Sequence, residues 1–340
     1  MPEELEIDMG RPSRVLISGG RETGGVRSFA EALQAGFQGL GIAAEVIPPS
    51  GLARRWRQLR NPRILKILST TAVFAAPVSR RALCMAHGIP CAAHQGWPRT
   101  LAILASFWLA NAARGVQLVA VSGYTALHLQ AIFGLRVDAT IRNPMRPLYF
   151  DILPLQEGRR EAITYVGRLH KSKNVDKLVP ALRDVLDENP GMRAWIVGDG
   201  PMRTSLECLA GGDDRIEFLG ALSPVQVREV LRHSRVFVSA NPVEPLGIAY
   251  LEALSQGSTV VMPASGGGLE IAPGQIGGGV HLFAASMTRE EIASALRKAL
   301  LAKPNPVPLA SYSARAVAEA YLAADARFSA KGNFQAETIA

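Results

Sequence analysis

With 340 residues, 48% of them hydrophobic and 19% charged, the chain has the length for two globular domains and the composition of neither a disordered nor a fibrous protein. Three cysteines, Cys84, Cys91 and Cys208, argue against a disulfide framework and fit a reducing compartment. The net charge of +8 is one-sided: residues 1–155 hold 17 Lys and Arg against 9 Asp and Glu, and residues 156–340 hold 20 of each.

The N-terminus carries Glu3, Glu4, Glu6 and Asp8, so no secretory leader is expected there. A strand over 15–18 runs into the glycine loop GGRETGG at 19–25, then a helix over 26–40 and a strand over 43–47. Strand, glycine loop and helix open a doubly wound sheet. The loop lacks both the dinucleotide spacing G-x-G-x-x-G and the P-loop lysine, yet it lets backbone approach a phosphate. Residues 54–66, RRWRQLRNPRILK, combine six cations with Trp56. That segment reads either as a solvated helix face or as a contact with an anionic membrane surface. Nucleic acid is not expected, because no recognition motif accompanies the charge.

A strand at 72–75, a helix over 79–87, and a strand over 89–93 leading to His94 come next. A helix over 98–113, a strand over 116–121, a helix over 123–133 and a strand over 137–141 follow. The apolar run 101–113 is too short to cross a bilayer and ends in Arg114. The proline-rich, aperiodic stretch 143–157 is the expected domain boundary. Cys84, His87, Cys91 and His94 have spacings that suggest zinc, but a helix carrying the first pair and a strand carrying the third would not converge on one ion.

The alternation then restarts. Strands at 163–166, 194–197, 216–219, 236–240 and 259–262 alternate with helices at 175–188, 202–210, 224–233 and 248–257. A strand at 280–283 and helices at 289–302 and 312–330 complete the chain before a polar tail. The expected fold is therefore α/β, with two Rossmann-like, doubly wound sheets facing a central cleft. The expected domains are 1–150 and 151–310, each Rossmann-like, with a helix over 311–330 packing back across the junction and a tail over 331–340.

Ligands of such sheets gather beyond the carboxyl ends of the strands. Arg168, Lys173, Gly198, Glu244 and the glycine loop before Glu270 all follow strands in the second half, and Gly24, Gly25 and His94 do so in the first. The stretch SANPVEPLGIAYLEALSQG concentrates the chemistry. A helix starting after Leu246 and Gly247 offers backbone N–H groups to an anion. Glu244 before it and Glu252 inside it suit hydroxyl groups, which sugars and riboses supply.

The pieces GRLHKSK, VGDGPMR, FLGALS, EPLGIAYLE and the glycine loop before Glu270, in this order over 163–272, resemble the retaining glycosyltransferases of the GT-B fold, family-four type. The first half resembles them more loosely, through GGVRSFAEAL, His94 and Asn143-Pro144. The resemblance implies a nucleotide-sugar donor (UDP or GDP), no required divalent metal, and transfer with retention to a saccharide or lipid-linked acceptor. It places Arg168 and Lys173 at the diphosphate, with Gly24, Gly25 and Gly198 near it. It puts Leu246 and Gly247 beside sugar and phosphate, Glu252 on the ribose, and Glu244 and His94 at the reacting sugar. Cell-envelope polysaccharide or lipopolysaccharide assembly at the inner face of the cytoplasmic membrane would suit it. This sequence departs from the family pattern at Asn174, where a glycine is usual, and at Leu246, where an aromatic is usual. A nucleotide-sugar epimerase or phosphorylase of the same fold, and a non-catalytic sugar-binding module, remain as alternatives.

Overall fold

The computed structural model describes residues 10–19, 25–91, 96–150, 162–271, 273–302 and 309–337. His94 and Gly24 lie outside these residues. The chain divides into two compact units, Met1–Pro147 with Ala310–Ala340, and Leu148–Leu309.

The first unit is built from β1 (Arg14–Ser18), α1 (Gly25–Gly39), β2 (Ala43–Ile47), the short α2 (Trp56–Leu59), β3 (Ile64–Ser69), β4 (Ala82–Ala86), α3 (Trp97–Ala112), β5 (Val116–Ala120), α4 (Gly123–Phe133) and β6 (Ala139–Thr140). Its six strands lie in the order β2-β1-β3-β4-β5-β6, all parallel. The second unit runs through β7 (Ala162–Val166), α5 (Val175–Glu188), β8 (Arg193–Val197), α6 (Arg203–Ala210), β9 (Ile216–Gly220) and α7 (Pro224–Arg232). It continues with β10 (Ser234–Val238), α8 (Ile248–Ser255), β11 (Thr259–Pro263), β12 (Val280–Phe283) and α9 (Arg289–Leu301). Its order, β12-β11-β10-β7-β8-β9, is again parallel throughout. The chain winds outward from β7 to β9 and then returns to lay β10 against the other side of β7. That reversal is the topological switch point, where an open α/β sheet forms its ligand crevice.

The last helix, α10 (Ala314–Glu337), packs on α1 in the first unit. It continues through Glu337, where a polar tail was expected from residue 331. Its anchor is buried. Arg81, just before β4, donates from Nε to Asp325 Oδ1 at 2.9 Å, and from its Nη atoms to the carbonyls of Pro62 and Gly10. Both side chains of the pair are almost fully enclosed.

Three expectations for residues 54–87 are corrected. The expected helix over 79–87 is the strand β4, ALCMA, buried at every position. A five-residue apolar run suits a buried parallel strand as well as a helix, and pattern alone does not separate them. The expected strand at 72–75 is a 3-10 turn, Thr70–Val78, with Pro77 inside it. The basic segment 54–66 is not one helix face. Its first half forms short turns and α2, and its second half enters β3, where Lys66 is fully buried. Cys84 consequently sits in a strand core, where burial pushes its thiol well above the usual range. The helix expected to carry both Cys84 and His87, on which the zinc reading was set aside, is corrected with it, because Cys84 lies on β4.

Lys66 has a measurable consequence. Burial, then the charge of Arg81, lowers its pKa from 10.5 to about 7, although Asp325 pulls the other way. The unfolded chain then binds more protons than the folded one between pH about 7 and 10.5, so this lysine makes stability rise with pH across that window. We expect the Tm of the protein to rise from neutral pH into that window relative to a Lys66→Met variant. Parallel Tm profiles would contradict it.

Candidate functional site

Four loops leave adjacent carboxyl ends of the second sheet, after β7, β8, β10 and β11. The loop after β7 carries Arg168 and the 3-10 turn Lys171–Lys173. Asn174 closes that turn at φ 50° and begins α5. Left-handed backbone suits glycine or asparagine, so Asn174 takes up the conformation for which the family more often uses glycine. Its side chain donates to the Ala240 carbonyl at 3.0 Å, tying this loop to the one after β10.

The loop after β8 fits against the first through its glycines. A Cβ on Gly198, at φ 131°, would lie 1.9 Å from the Gly167 carbonyl oxygen, and one on Gly200 would lie 2.3 Å from that of Leu169. The Leu169 N–H donates to the Asp199 carbonyl at 2.9 Å. Gly198→Ala is therefore expected to destabilise the protein by about 3 kcal/mol or more, read by chemical denaturation, because backbone clash adds to strained φ. A loss below about 1 kcal/mol would show that the loop is not held this tightly.

The loop after β10 holds the central pair. Lys173 Nζ donates to Glu244 Oε2 at 2.8 Å, and Asn241 Nδ2 donates to the same oxygen at 2.6 Å. Lys173 and Glu244 are each partly open to solvent, at 28% and 21% of side-chain area. A ligand can therefore reach a cation and a carboxylate already locked in place. Asn241 was not singled out in the sequence; a side-chain amide three residues before the glutamate was the available signal.

The loop after β11 closes over the backbone of Glu244. Gly267 N–H donates to the Glu244 carbonyl at 2.8 Å, and a Cβ on Gly266, at φ 82°, would lie 3.0 Å from that carbonyl oxygen. Tyr250, on the first turn of α8, fills the space beneath. A Cβ on either Gly247 or Gly268 would come within 2.6 Å of its ring. Its hydroxyl donates to Ser239 at 3.2 Å. Burial, and then the Glu244 charge, holds the Tyr250 phenol far above its ordinary range, and Tyr165 shows the same two causes. Both rings stay neutral, so neither competes with Glu244 as an anion.

Gly247 is the N-cap of α8, so the free N–H groups of that helix start three residues after Glu244. Leu246 is buried beneath it, and Glu252 lies inside the helix with only 7% of its surface exposed. Arg168 is exposed beyond β7, near enough to Tyr165 to affect its phenol, as Glu244 also does. Thus Arg168, Lys173, Glu244, Gly198, Leu246, Gly247 and Glu252 belong to one edge of one sheet. Gly25 starts α1 in the other unit.

Residues 150–315 match the family described as glycosyl transferases group 1. That match falls on the second unit of the chain. A stretch of 165 residues is 32% identical to sulfoquinovosyl transferase SQD2 of Arabidopsis thaliana, covering 48% of this chain and 31% of that protein. The chain thus matches about a third of that relative's length. Two solved structures align over nearly the whole chain. One is Anabaena HepE in complex with UDP and glucose, with TM-score 0.64 and 18% identity, covering 96% of this chain and 99% of that one. The other is WaaG, a glycosyltransferase involved in lipopolysaccharide biosynthesis, with TM-score 0.63 and 16% identity, covering 93% and 98%. The two parallel six-stranded sheets of this chain are the GT-B fold of these glycosyltransferases.

Proposed function

We propose that the protein transfers a glycosyl group from a nucleotide-diphosphate sugar to an acceptor hydroxyl, with retention of anomeric configuration. The observation that carries this reading is the Lys173 to Glu244 pair, set three residues ahead of the α8 N-terminus at the switch point of the second sheet. A diphosphate on the helix start would meet backbone N–H groups, Lys173 and Arg168. Glu244 and Glu252 would accept hydrogen bonds from sugar and ribose hydroxyls. HepE was solved with UDP and glucose, which supports a uridine or similar nucleotide here.

In the proposed step the anomeric carbon to phosphate oxygen bond breaks, and its electron pair stays on the diphosphate. The acceptor oxygen bonds to the same face, and its proton passes to the departing phosphate oxygen. The cations supply their stabilisation as that charge develops. Arg168, Lys173 and the helix dipole would neutralise the diphosphate without a divalent ion, so EDTA should change the rate by less than about twofold, against the orders of magnitude expected of a catalytic ion. His94, Gly24 and Gly25 are assigned by resemblance to the donor and acceptor side of the first unit. The acceptor we favour is a saccharide or lipid-linked saccharide of the cell envelope, on the cytoplasmic face. No helix among the described residues is long and apolar enough to cross a membrane.

A panel of UDP- and GDP-sugars tests the reading. Release of nucleoside diphosphate should require acceptor, and NMR should show the product anomer matching the donor. Release of nucleotide without acceptor would favour an epimerase-like or hydrolytic chemistry, and donor binding with no turnover would leave only a binding module.

A further inference from the structure

The outer face of α3 (Trp97–Ala112) is mostly apolar. Its inner side, Thr100, Leu104, Phe107 and Ala110, is buried on the sheet. Its outer side carries Trp97, Leu101, Trp108 and Leu109, between 54% and 70% exposed, with Ala102 and Ala105 also open to solvent. Arg99 is the one charge in the helix. An ordinary surface helix places polar side chains on this side.

The stripe continues onto its neighbours. The 3-10 turn Thr70–Val78 packs beside α3 and exposes Phe74 and Val78. Next to that turn lies α2, which exposes Trp56. On the other side, Trp108 Nε1 donates to the Phe133 carbonyl at the end of α4, where Ile132 is exposed. These segments share one core cluster through Leu59, Val73, Phe107 and Leu129, so they form one layer over the sheet. Single exposed apolar residues are ordinary; a contiguous layer of them marks a contact surface.

Charge decides what the contact is. Residues 46–137, which contain all of these segments, hold 11 Lys and Arg and no Asp or Glu. Arg54, Arg57, Arg60, Arg80, Arg99 and Arg114 are exposed and have no carboxylate partner among the described residues. A second copy of the chain would bring the same cations against each other, and a protein partner would have to supply every acid. An anionic lipid surface supplies charge over the whole area and accepts Trp and Leu at the boundary of its acyl chains.

We infer that the α3 face of the first unit docks on an anionic bilayer, with Trp97, Leu101, Trp108 and Leu109 inserted and the flanking arginines on lipid headgroups. The basic segment at 54–60 then serves as the flank of this surface, and α3 is its centre. This partner is compatible with a lipid-linked acceptor, but it rests on the first unit alone and not on the donor chemistry.

The test is cosedimentation of the full chain with vesicles of phosphatidylcholine and of phosphatidylcholine mixed with phosphatidylglycerol. The protein should pellet with the anionic vesicles and be released by salt. Trp97→Ser combined with Leu101→Ser and Leu109→Ser should reduce bound protein on the order of tenfold or more, with helical content and Tm retained. Arg54→Gln with Arg57→Gln and Arg60→Gln should weaken binding less and flatten its salt dependence. Leu209→Ser, an exposed leucine of the second unit, should change nothing. Three results would overturn the inference: protein that stays in the supernatant, binding unchanged in the α3 variant, or a concentration-dependent dimer that the α3 variant abolishes. Thermal stabilisation by UDP or GDP, measured on the same variants without vesicles, reports the donor site separately.

Discussion

Lys173→Ala should lower glycosyl transfer by roughly 10²–10³-fold at saturating donor, with the fold intact. The reason is the timing of charge. The ground-state diphosphate already carries negative charge, but the departing oxygen gains more as the glycosidic bond breaks, so a fixed cation beside it helps the transition state most. Lys173 is fixed before any ligand arrives, because Glu244 accepts from its Nζ at 2.8 Å and Asn241 holds the same carboxylate oxygen. A pair this exposed adds little to folding, so its removal should leave Tm within a few degrees. Glu244→Ala should be similarly damaging, because it removes a sugar contact and frees the Lys173 ammonium at once. The double variant should lose little beyond the worse single one, since the residues act as a unit. Turnover in Lys173→Ala within about threefold of the unmodified protein would remove the pair from the chemistry.

The second large effect is on stability and lies far from that pair in sequence. Asp325→Ala should cost about 3–5 kcal/mol. Arg81 would keep its contacts to the Pro62 and Gly10 carbonyls but would lose the buried carboxylate that balances it. Lys66 sits close enough for the charges of Arg81 and Asp325 both to act on it. The variant would remove the charge that holds the Lys66 pKa up, so Lys66 would give up its proton, and the cost falls on Arg81, left enclosed without that carboxylate. Since Asp325 belongs to α10 and Arg81 leads into β4, the loss should free the last helix from the first unit. Urea denaturation, with hydrogen exchange along α10, would read both effects. An unchanged midpoint would mean that the pair is solvated in the folded protein.

The second unit was the more legible half of the sequence, and physical reasons account for the difference. Its strands are short apolar runs separated by distinct turn signals, and α5 appears over Val175–Glu188 as its periodicity indicated. The first unit defeats the same reading between residues 54 and 87, most clearly at its two central strands. ILKILS contains a lysine that a pattern rule assigns to solvent, yet Lys66 is buried, with its Nζ donating to the Asn61 carbonyl at 2.6 Å and the charge of Asp325 acting on it. ALCMA offers five apolar residues with no polar alternation, so a central parallel strand looks like a buried helical turn. At the site, the sequence named Lys173 and Glu244 but not their direct bond, which depends on β7 and β10 becoming neighbours only after three strands have been laid down. Asn174 looked like a departure from the family, and its left-handed backbone shows why the substitution is tolerated. Gly247 was legible as a helix start and Gly268 as part of a glycine loop, whereas the structure shows that both make room for one aromatic ring.

Calorimetric titration of UDP and of GDP into the unmodified protein, Arg168→Ala and Lys173→Ala is the most direct measurement of whether this edge of the second sheet holds a nucleoside diphosphate. One of the two nucleotides should bind, and each substitution should weaken it by about tenfold or more, the scale of a lost charge-assisted contact. Failure of both nucleotides to bind, or equal affinity in all three proteins, would contradict a diphosphate held by Arg168 and Lys173.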